Sequence, residues 1–210
     1  MLVNIEGISG AGKTEALSLI QDLINNDCVL LGGFNLREYS TELTHFCREL
    51  TERNHMFKLP VISELHLLLA EIIMDIHYNV SPALLKNQLV IYENYWDSIL
   101  YYELAIAKVK YSGNANLAES IIGIIDCSAK SFCIPKPDFT IFIDCSVDSA
   151  VNRIEKRENI RLARNDIEIL KEVQNQYKNN PPTNRFFTLQ NESSIENMKW
   201  ELIHILRRIY

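Results

Sequence analysis

The feature that most restricts how this chain can fold is a glycine-rich segment near its N-terminus. Residues 7–14 read Gly-Ile-Ser-Gly-Ala-Gly-Lys-Thr and match the pattern G-x-x-x-x-G-K-[ST]. The segment follows an apolar run, Leu2–Glu6, that is typical of a buried strand, and it precedes residues 13–24, where apolar side chains recur at helical spacing. Between a strand and a helix, such glycines let backbone N–H groups curl around a phosphate at the positive end of the helix dipole. The sequence therefore predicts a phosphate-binding loop, or P-loop.

Each residue type in the loop has a predicted task in binding a nucleoside triphosphate. The side chain of Lys13 is expected to reach the β- and γ-phosphates, and the hydroxyl of Thr14 is placed to bind Mg²⁺. The residues whose backbone is expected to surround the phosphates are Gly7, Ser9, Gly10, Ala11 and Gly12. We therefore expect ATP and Mg²⁺ as cofactors and the phosphorylation of a small molecule as the reaction.

The charge balance argues against one broad class of partner. The 210 residues carry a net charge of -6, and the isoelectric point is about 5.4. The phosphate backbone of DNA or RNA attracts basic surfaces, so we expect no nucleic acid polymer as a partner. An acidic protein can still bind a nucleotide when its basic residues converge on one site.

Cysteine use and hydropathy predict a cytoplasmic protein that does not act at a membrane. The five cysteines are scattered, without C-x-x-C pairs or zinc-ligand spacing, so free thiols in a reducing compartment are expected. The N-terminal segment opens directly into the predicted strand, without the basic region or the cleavage pattern of a signal peptide. No apolar run approaches the length of a membrane span.

Segments typical of strands and of helices alternate along the chain, as they do in a parallel sheet with crossover helices. Strands are predicted at residues 2–6, 28–31, 89–92, 139–143 and 186–189. Helices are predicted at residues 13–24, 63–77, 95–110, 148–157, 166–177 and 193–209, with a further short helix near Pro82. We therefore expect one α/β domain, residues 1–210, with about five parallel strands and helices on both faces of the sheet.

Several segments, in order along the chain, resemble the thymidylate kinases and, more loosely, the deoxynucleoside kinases. They are residues 5–14, Leu-Arg-Glu at 36–38, residues 64–77 followed by Pro82, Glu-Asn-Tyr-Trp-Asp-Ser at 93–98 with Tyr102 and Glu103, residues 137–144, and the pair Arg153 and Arg157. The first is specific, and the others gain weight from their order. The resemblance implies a three-layer P-loop NTPase sandwich with an arginine-containing lid at about residues 157–166. It also implies a phosphotransferase that moves the γ-phosphoryl group of Mg-ATP to a nucleoside or a nucleoside monophosphate.

The resemblance assigns catalytic roles on the ATP side of the site. Arg153 would stack beside the ATP base, and Arg157 with Arg161 would close on the phosphates when the lid shuts. Glu93, at the carboxyl end of its strand, would hold a Mg²⁺-bound water or orient the acceptor. A plainer alternative stays open, because a run of arginines can also simply solvate an exposed helix face.

The resemblance also implies a pocket for the acceptor. The residues that would line it are Arg37, Glu38, Asn94, Ser98 and Tyr102. Glu38 corresponds to the carboxylate that takes the proton of the acceptor hydroxyl in deoxynucleoside kinases. Ser98 and Tyr102 are also spaced as ordinary packing residues on one helix face. The carboxylates of Glu38, Glu93 and Asp97 all remain candidates for the base.

Three positions depart from the family pattern, and all of them belong to the acceptor side. Ser9 replaces an Asp that approaches the acceptor sugar, Met74 an Arg that contacts the acceptor base, and Asn94 an Arg that clamps the acceptor phosphate. A charge-assisted hydrogen bond contributes about 1.5–3 kcal/mol, so the loss of two would weaken binding of a phosphorylated acceptor by roughly 10²- to 10⁴-fold. Arg37 and Arg48 are the candidates to compensate. We hypothesise that the acceptor is neutral, such as a nucleoside, and is not ordinary thymidylate.

Other functions and assemblies remain open from the sequence. The altered acceptor residues are compatible with a kinase of the same fold for an unrelated small molecule. A catalytically silent nucleotide-binding protein would also retain the P-loop. The apolar stripe on residues 63–77 suits a homodimer, or equally the core of a single chain.

Overall fold

A five-stranded parallel sheet forms the centre of the computed structural model, which describes residues 1–24, 28–32, 42–54, 59–182, 185–192 and 195–209. The strands are β1 (Leu2–Glu6), β2 (Val29–Gly32), β3 (Val90–Glu93), β4 (Phe139–Asp144) and β5 (Phe186–Gln190). Their order across the sheet is β2-β3-β1-β4-β5, and every neighbouring pair is parallel. All five residues of β1 are buried, as expected for a central strand covered by helices on both faces.

Nine α-helices cover and connect the strands in the part of the chain that the structure describes. They are α1 (Lys13–Leu23), α2 (Glu42–Asn54), α3 (Val61–Asp75), α4 (Ser81–Leu85), α5 (Trp96–Lys110), α6 (Ala115–Ser131), α7 (Val147–Glu158), α8 (Arg164–Asn179) and α9 (Ile195–Ile209). Helix α5 packs against α3, α6 and α8, while α1 packs against α9. None of these helices combines the length and the apolar composition needed to cross a bilayer.

The predicted architecture is confirmed, with five parallel strands and helices on both faces, but three details of the prediction are wrong. Helix α2 is not predicted, because its polar and charged composition hides its apolar face. Helix α6 is also not predicted, because Gly123 lies in the middle of its sequence and few of its residues are apolar core residues: those buried are Ile121 and Ile125. The helix expected over residues 63–77 ends as an α-helix at Asp75 and continues as a π-helical turn, Ile76–Val80.

The apolar stripe of α3 lies in the core of the single chain. Leu65, Leu68, Leu69 and Ile72 are all buried and belong to the main hydrophobic cluster around the sheet. The stripe is therefore explained without a second copy of the chain. Homodimerisation stays a prediction.

The register of the central strands brings the P-loop and Glu93 to the same edge of the sheet. Ile5 of β1 lies opposite Glu93 of β3, and Glu6 lies opposite Phe142 of β4. The chain leaves β1 for β2 on one side of it and later enters β4 on the other side. In open parallel sheets, ligands bind outside the carboxyl ends of the strands where the chain changes direction in this way.

Two carboxyl groups are buried on the packed helices α3 and α5. Glu103 is fully buried and Glu64 is 1% exposed. Both oxygens of Glu103 and Oε2 of Glu64 are buried without a hydrogen-bond partner among the described residues. Burial, and then the charge of Glu64, raises the pKa of Glu103 from its usual 4.5 to about 9. Burial also raises the pKa of Glu64 to about 7. Because the folded state holds these protons more tightly, the pair stabilises the fold less and less as the pH rises from about 4.5 to about 9.

We predict that Glu103→Gln leaves stability nearly unchanged at about pH 5 and increases it by at least about 1 kcal/mol at about pH 8.5, because Gln removes the ionisable group. Thermal unfolding of the two proteins at both pH values measures the difference. Glu119→Gln, on the exposed face of α6, makes the same chemical change without burial and is expected to shift stability by less than about 0.5 kcal/mol. A gain from Glu103→Gln that is equal at both pH values would contradict the assignment.

Candidate active site

The P-loop takes a backbone path that only glycine adopts easily at two of its positions. Gly10 has a φ of +79° and Gly12 a φ of +97°. A Cβ atom on Gly12 would lie 2.2 Å from Nδ2 of Asn191, and one on Gly10 would lie 2.5 Å from the backbone oxygen of Ala150. Both glycines are therefore required by close approach as well as by the left-handed conformation. The loop leads directly into α1 at Lys13, as the sequence predicts.

Lys13 is buried inside its own loop. Its Nζ donates hydrogen bonds to the backbone oxygens of Gly7 at 2.9 Å and Ile8 at 3.0 Å. Burial lowers the pKa of Lys13, while the nearby charges of Glu93 and then Glu6 oppose that decrease. The structure thus places one desolvated positive charge in the middle of the loop, where an anion is attracted strongly.

Thr14 and Glu93 lie together beside Lys13. The hydroxyl of Thr14 donates to Oε1 of Glu93 at 3.3 Å, while Oε2 of Glu93 is buried and has no hydrogen-bond partner among the described residues. The described residues contain no cluster of three or more His, Cys, Asp or Glu side chains arranged to hold a metal. A hydroxyl and one carboxylate fit Mg²⁺, which is commonly held by few protein oxygens together with water and phosphates.

Arg153 of α7 and Asn191, the residue after β5, brace the P-loop from the outside. Nη1 of Arg153 donates to the backbone oxygens of Gly10 and Ala11, both at 3.4 Å, and its Nη2 donates to the backbone oxygen of Asn191 at 2.8 Å. Nδ2 of Asn191 donates to the same Ala11 oxygen at 2.6 Å. The guanidinium of Arg153 therefore lies against the loop backbone, and its expected stacking beside the ATP base stays a prediction.

Arg157 and Arg161 have a different environment from Arg153. Arg157 pairs with Glu158 at 2.7 Å with its side chain 62% exposed, and Arg161 pairs with Glu155 at 3.4 Å and is 92% exposed. The charge of Arg157 is nevertheless close enough to contribute to the lowered pKa of Lys13, after the larger effect of burial. Surface ion pairs of this kind are weak, so little energy holds these two arginines in place.

The corner between β3 and α5 adjoins the P-loop. Asn94 occupies this corner with a φ of +59°, and its backbone N–H donates to the oxygen of Ile5 at 3.1 Å. Oγ of Ser98 lies 3.4 Å from Oδ1 of Asn94. The hydroxyl of Tyr102 accepts a hydrogen bond from the backbone N–H of Ser9 at 2.8 Å. Ser98 and Tyr102 therefore face the loop and the corner in addition to packing on α5.

This arrangement of loop, lysine and strand-end carboxylate can be compared with known proteins. The sequence pattern of the thymidylate kinase family matches residues 5–202. The chain belongs to the thymidylate kinase family. A thymidylate kinase of Prochlorococcus marinus subsp. pastoris is 32% identical over 181 residues, which cover 83% of this chain and 79% of that protein.

Two solved structures share the fold of this thymidylate kinase family member. A thymidylate kinase from Ehrlichia chaffeensis has a TM-score of 0.64 and 21% identity, and the match covers 99% of this chain and 98% of that one. A deoxyadenosine kinase from M. mycoides with bound dATP has a TM-score of 0.70 and 16% identity, covering 99% and 100% of the two chains. With the family match, the chain is a P-loop nucleotide kinase that uses ATP as a substrate.

Two of the predicted acceptor residues, Arg37 and Glu38, lie outside the residues that the structure describes. Of the other two candidates for the base in this family member, Glu93 is engaged by Thr14. Asp97, in the first turn of α5, is half-buried, and its carboxyl group makes no hydrogen bond to described residues. Burial raises the pKa of Asp97 to about 6.

Three residues that shape the site are missed by the sequence reasoning. Asn191 braces the loop, and Glu6 and Tyr177 form a buried pair directly beneath it. Glu6 belongs to the Ile-Glu-Gly segment that resembles the kinases. This resemblance is the sequence feature that points to Glu6. Asn191 and Tyr177 belong to no motif, and folding alone brings them to the loop.

We predict that Gly12→Ala weakens ATP binding by at least about tenfold, because the new Cβ atom strains the backbone and pushes against Asn191. Calorimetric titration with ATP measures the effect. Gly113→Ala is the matched control, since Gly113 also has a positive φ, of +66°, but nothing lies within 4 Å of its added Cβ. Equal ATP affinity in the two variants would show that the close approach to Asn191 is unimportant for the loop.

Proposed function

We propose that this member of the thymidylate kinase family transfers the γ-phosphoryl group of Mg-ATP to a neutral nucleoside and not to thymidylate. The observation that carries the proposal is Asn94, which stands at the corner where the family pattern has an arginine for the acceptor phosphate. Its Oδ1 faces the hydroxyl of Ser98, so the corner offers a short neutral amide. Met74, half-buried on α3, likewise brings no charge to the position of a second family arginine.

The carboxylates around the corner also support a neutral acceptor. Glu6 and Glu93 are buried beside the P-loop, and Asp97 is half-buried in the first turn of α5. A nucleoside monophosphate would bring a dianion close to these groups and to the phosphates of ATP. In a partly desolvated site, unpaired like charges repel each other by several kcal/mol. A hydroxyl acceptor avoids this repulsion.

Several residues on the P-loop side offset the negative charge of the phosphates during the transfer. Lys13 offsets the charge of the β- and γ-phosphates, and Arg157 adds positive charge from the end of α7. Mg²⁺, when bound, neutralises charge on the phosphate oxygens. Thr14 and Glu93 offer it the hydroxyl and carboxylate oxygens that it prefers. Arg153 holds the backbone of the loop in the conformation that binds the phosphates, through its hydrogen bonds to Gly10 and Ala11.

The acceptor side supplies the nucleophile and removes its proton. The acceptor hydroxyl oxygen forms a bond to the γ-phosphorus while the bond from that phosphorus to the β,γ-bridging oxygen breaks, which releases ADP. We assign the proton to the carboxylate of Asp97, because it is free of hydrogen bonds to described residues. Its raised pKa, about 6, also makes it a better proton acceptor near neutral pH than an exposed Asp. Glu38 stays the alternative base.

A nucleoside monophosphate is the second candidate acceptor, because the family itself is named for thymidylate kinase activity. In that case a cation must come from elsewhere, and Arg37 and Arg48 are the candidates. An unrelated small-molecule acceptor and a catalytically silent nucleotide-binding protein are the remaining alternatives, and the same assay separates them.

We predict that the protein forms ADP from Mg-ATP with nucleosides and that Lys13→Ala lowers this turnover by at least about 100-fold, because the charge on the transferred phosphoryl group is no longer offset. The measurement is ADP release against a panel of nucleosides, their monophosphates and a blank without acceptor. Turnover of thymidylate with a micromolar KM would contradict the proposal of a neutral acceptor. Tight ATP binding without turnover of any acceptor would favour a silent binding protein or an unrelated substrate.

We further predict that Asn94→Arg raises kcat/KM for nucleoside monophosphates by about 10- to 100-fold, the value of one charge-assisted hydrogen bond, with little effect on nucleosides. Asn87→Arg is a matched control, because Asn87 has a φ of +58° and is exposed after α4. It introduces the same charge at the same backbone conformation away from the site. If both variants leave monophosphate turnover unchanged, Asn94 does not decide the acceptor charge.

A further inference from the structure

Glu6, the last residue of β1, is fully buried and accepts hydrogen bonds from four groups. Its Oε1 accepts from Nδ2 of Asn4 at 2.6 Å and from the backbone N–H of Tyr95 at 3.1 Å. Its Oε2 accepts from the hydroxyl of Ser98 and from the hydroxyl of Tyr177 at 2.5 Å. Both oxygens are therefore satisfied, unlike those of Glu103.

The partners of Glu6 belong to three parts of the site. Tyr95 and Ser98 form the corner that follows Asn94, where the acceptor is proposed to bind. Tyr177 lies on α8, the helix whose first turn overlaps the end of the predicted lid segment. Glu6 itself is joined to the first glycine of the P-loop. One carboxylate thus connects the nucleotide loop, the acceptor corner and the helix behind the lid.

The surroundings of Tyr177 hold its hydroxyl firmly against Glu6. The ring of Tyr177 is fully buried, stacks on Phe142 with the centroids 5.0 Å apart and meets Tyr101 edge-on at 4.7 Å. The hydroxyl oxygens of Tyr177 and Ser98 are also 3.1 Å apart, so the two groups that donate to Oε2 are in contact with each other. A buried network in which one carboxylate accepts several hydrogen bonds resists distortion more than its separate bonds would.

We propose that Glu6 is a positioning residue for phosphoryl transfer, which fixes the β3–α5 corner and helix α8 in one geometry relative to the P-loop. The proposal rests on the proposed kinase function. Reaction rates depend steeply on the alignment of donor and acceptor, whereas ATP binding depends mainly on the loop itself. Loosening this network therefore lowers kcat more than it raises the KM for ATP.

The test uses three variants of the full chain. Tyr177→Phe removes one donor to Glu6 and keeps the ring, while Glu6→Gln keeps the shape and removes the charge. Tyr101→Phe is the control: it removes a hydroxyl from the same α5–α8 contact, one that bonds the backbone oxygen of Asn180 and not Glu6. Steady-state kinetics gives kcat and KM for ATP, and hydrogen–deuterium exchange reports on the amides of residues 94–98.

We expect Tyr177→Phe and Glu6→Gln to lower kcat by about tenfold or more, to change the KM for ATP by less than about threefold, and to speed exchange at residues 94–98. Tyr101→Phe is expected to change none of these. The proposal is overturned if all three variants behave alike in kcat and in exchange. If the wild-type protein turns over no acceptor, the kinase proposal fails, and the exchange at residues 94–98 alone then decides whether Glu6 fixes the corner.

Discussion

The parallel pairing of β1 with β3 is the constraint on which the rest of the site depends. It sets Ile5 opposite Glu93, so the P-loop and the β3–α5 corner emerge side by side from the same edge of the sheet. Lys13 then reaches back over the end of β1 into its own loop, within range of Glu93 and Glu6. A shift of this register by one residue would turn Glu93 to the other face of the sheet and separate it from Thr14.

The charges of the site are unevenly distributed between its two sides. The nucleotide side holds the buried cation Lys13, with Arg153 bonded to the loop backbone and Arg157 near the end of α7. At the corner where we propose that the acceptor binds, Glu6 and Asp97 are acidic side chains, and burial raises the pKa of both. The neutral side chain of Asn94 thus stands near acidic groups, which agrees with the neutral acceptor that we propose.

The sequence predicts those parts of the protein whose signal is local. The P-loop, the buried strands and most helices depend on neighbours a few residues apart, and they are confirmed. Glu6 bonds to Ser98 and Tyr177, which are 92 and 171 residues away, and no periodicity encodes such contacts. Asn191 reaches Ala11 over 180 residues for the same reason. Helix α2 is missed for a different reason, because its composition is largely polar.

Arg153 and Arg157 show why residue type and spacing do not settle a role. They are one helical turn apart on α7, and the sequence treats them as a pair. Arg153 makes three hydrogen bonds to backbone oxygens of the P-loop and of Asn191, so moving it would disturb the loop that holds ATP. Arg157 has one exposed ion pair, which costs little to break. Of the two, we propose that Arg157 is the arginine that follows the phosphates during transfer, while Arg153 keeps its contacts with the loop.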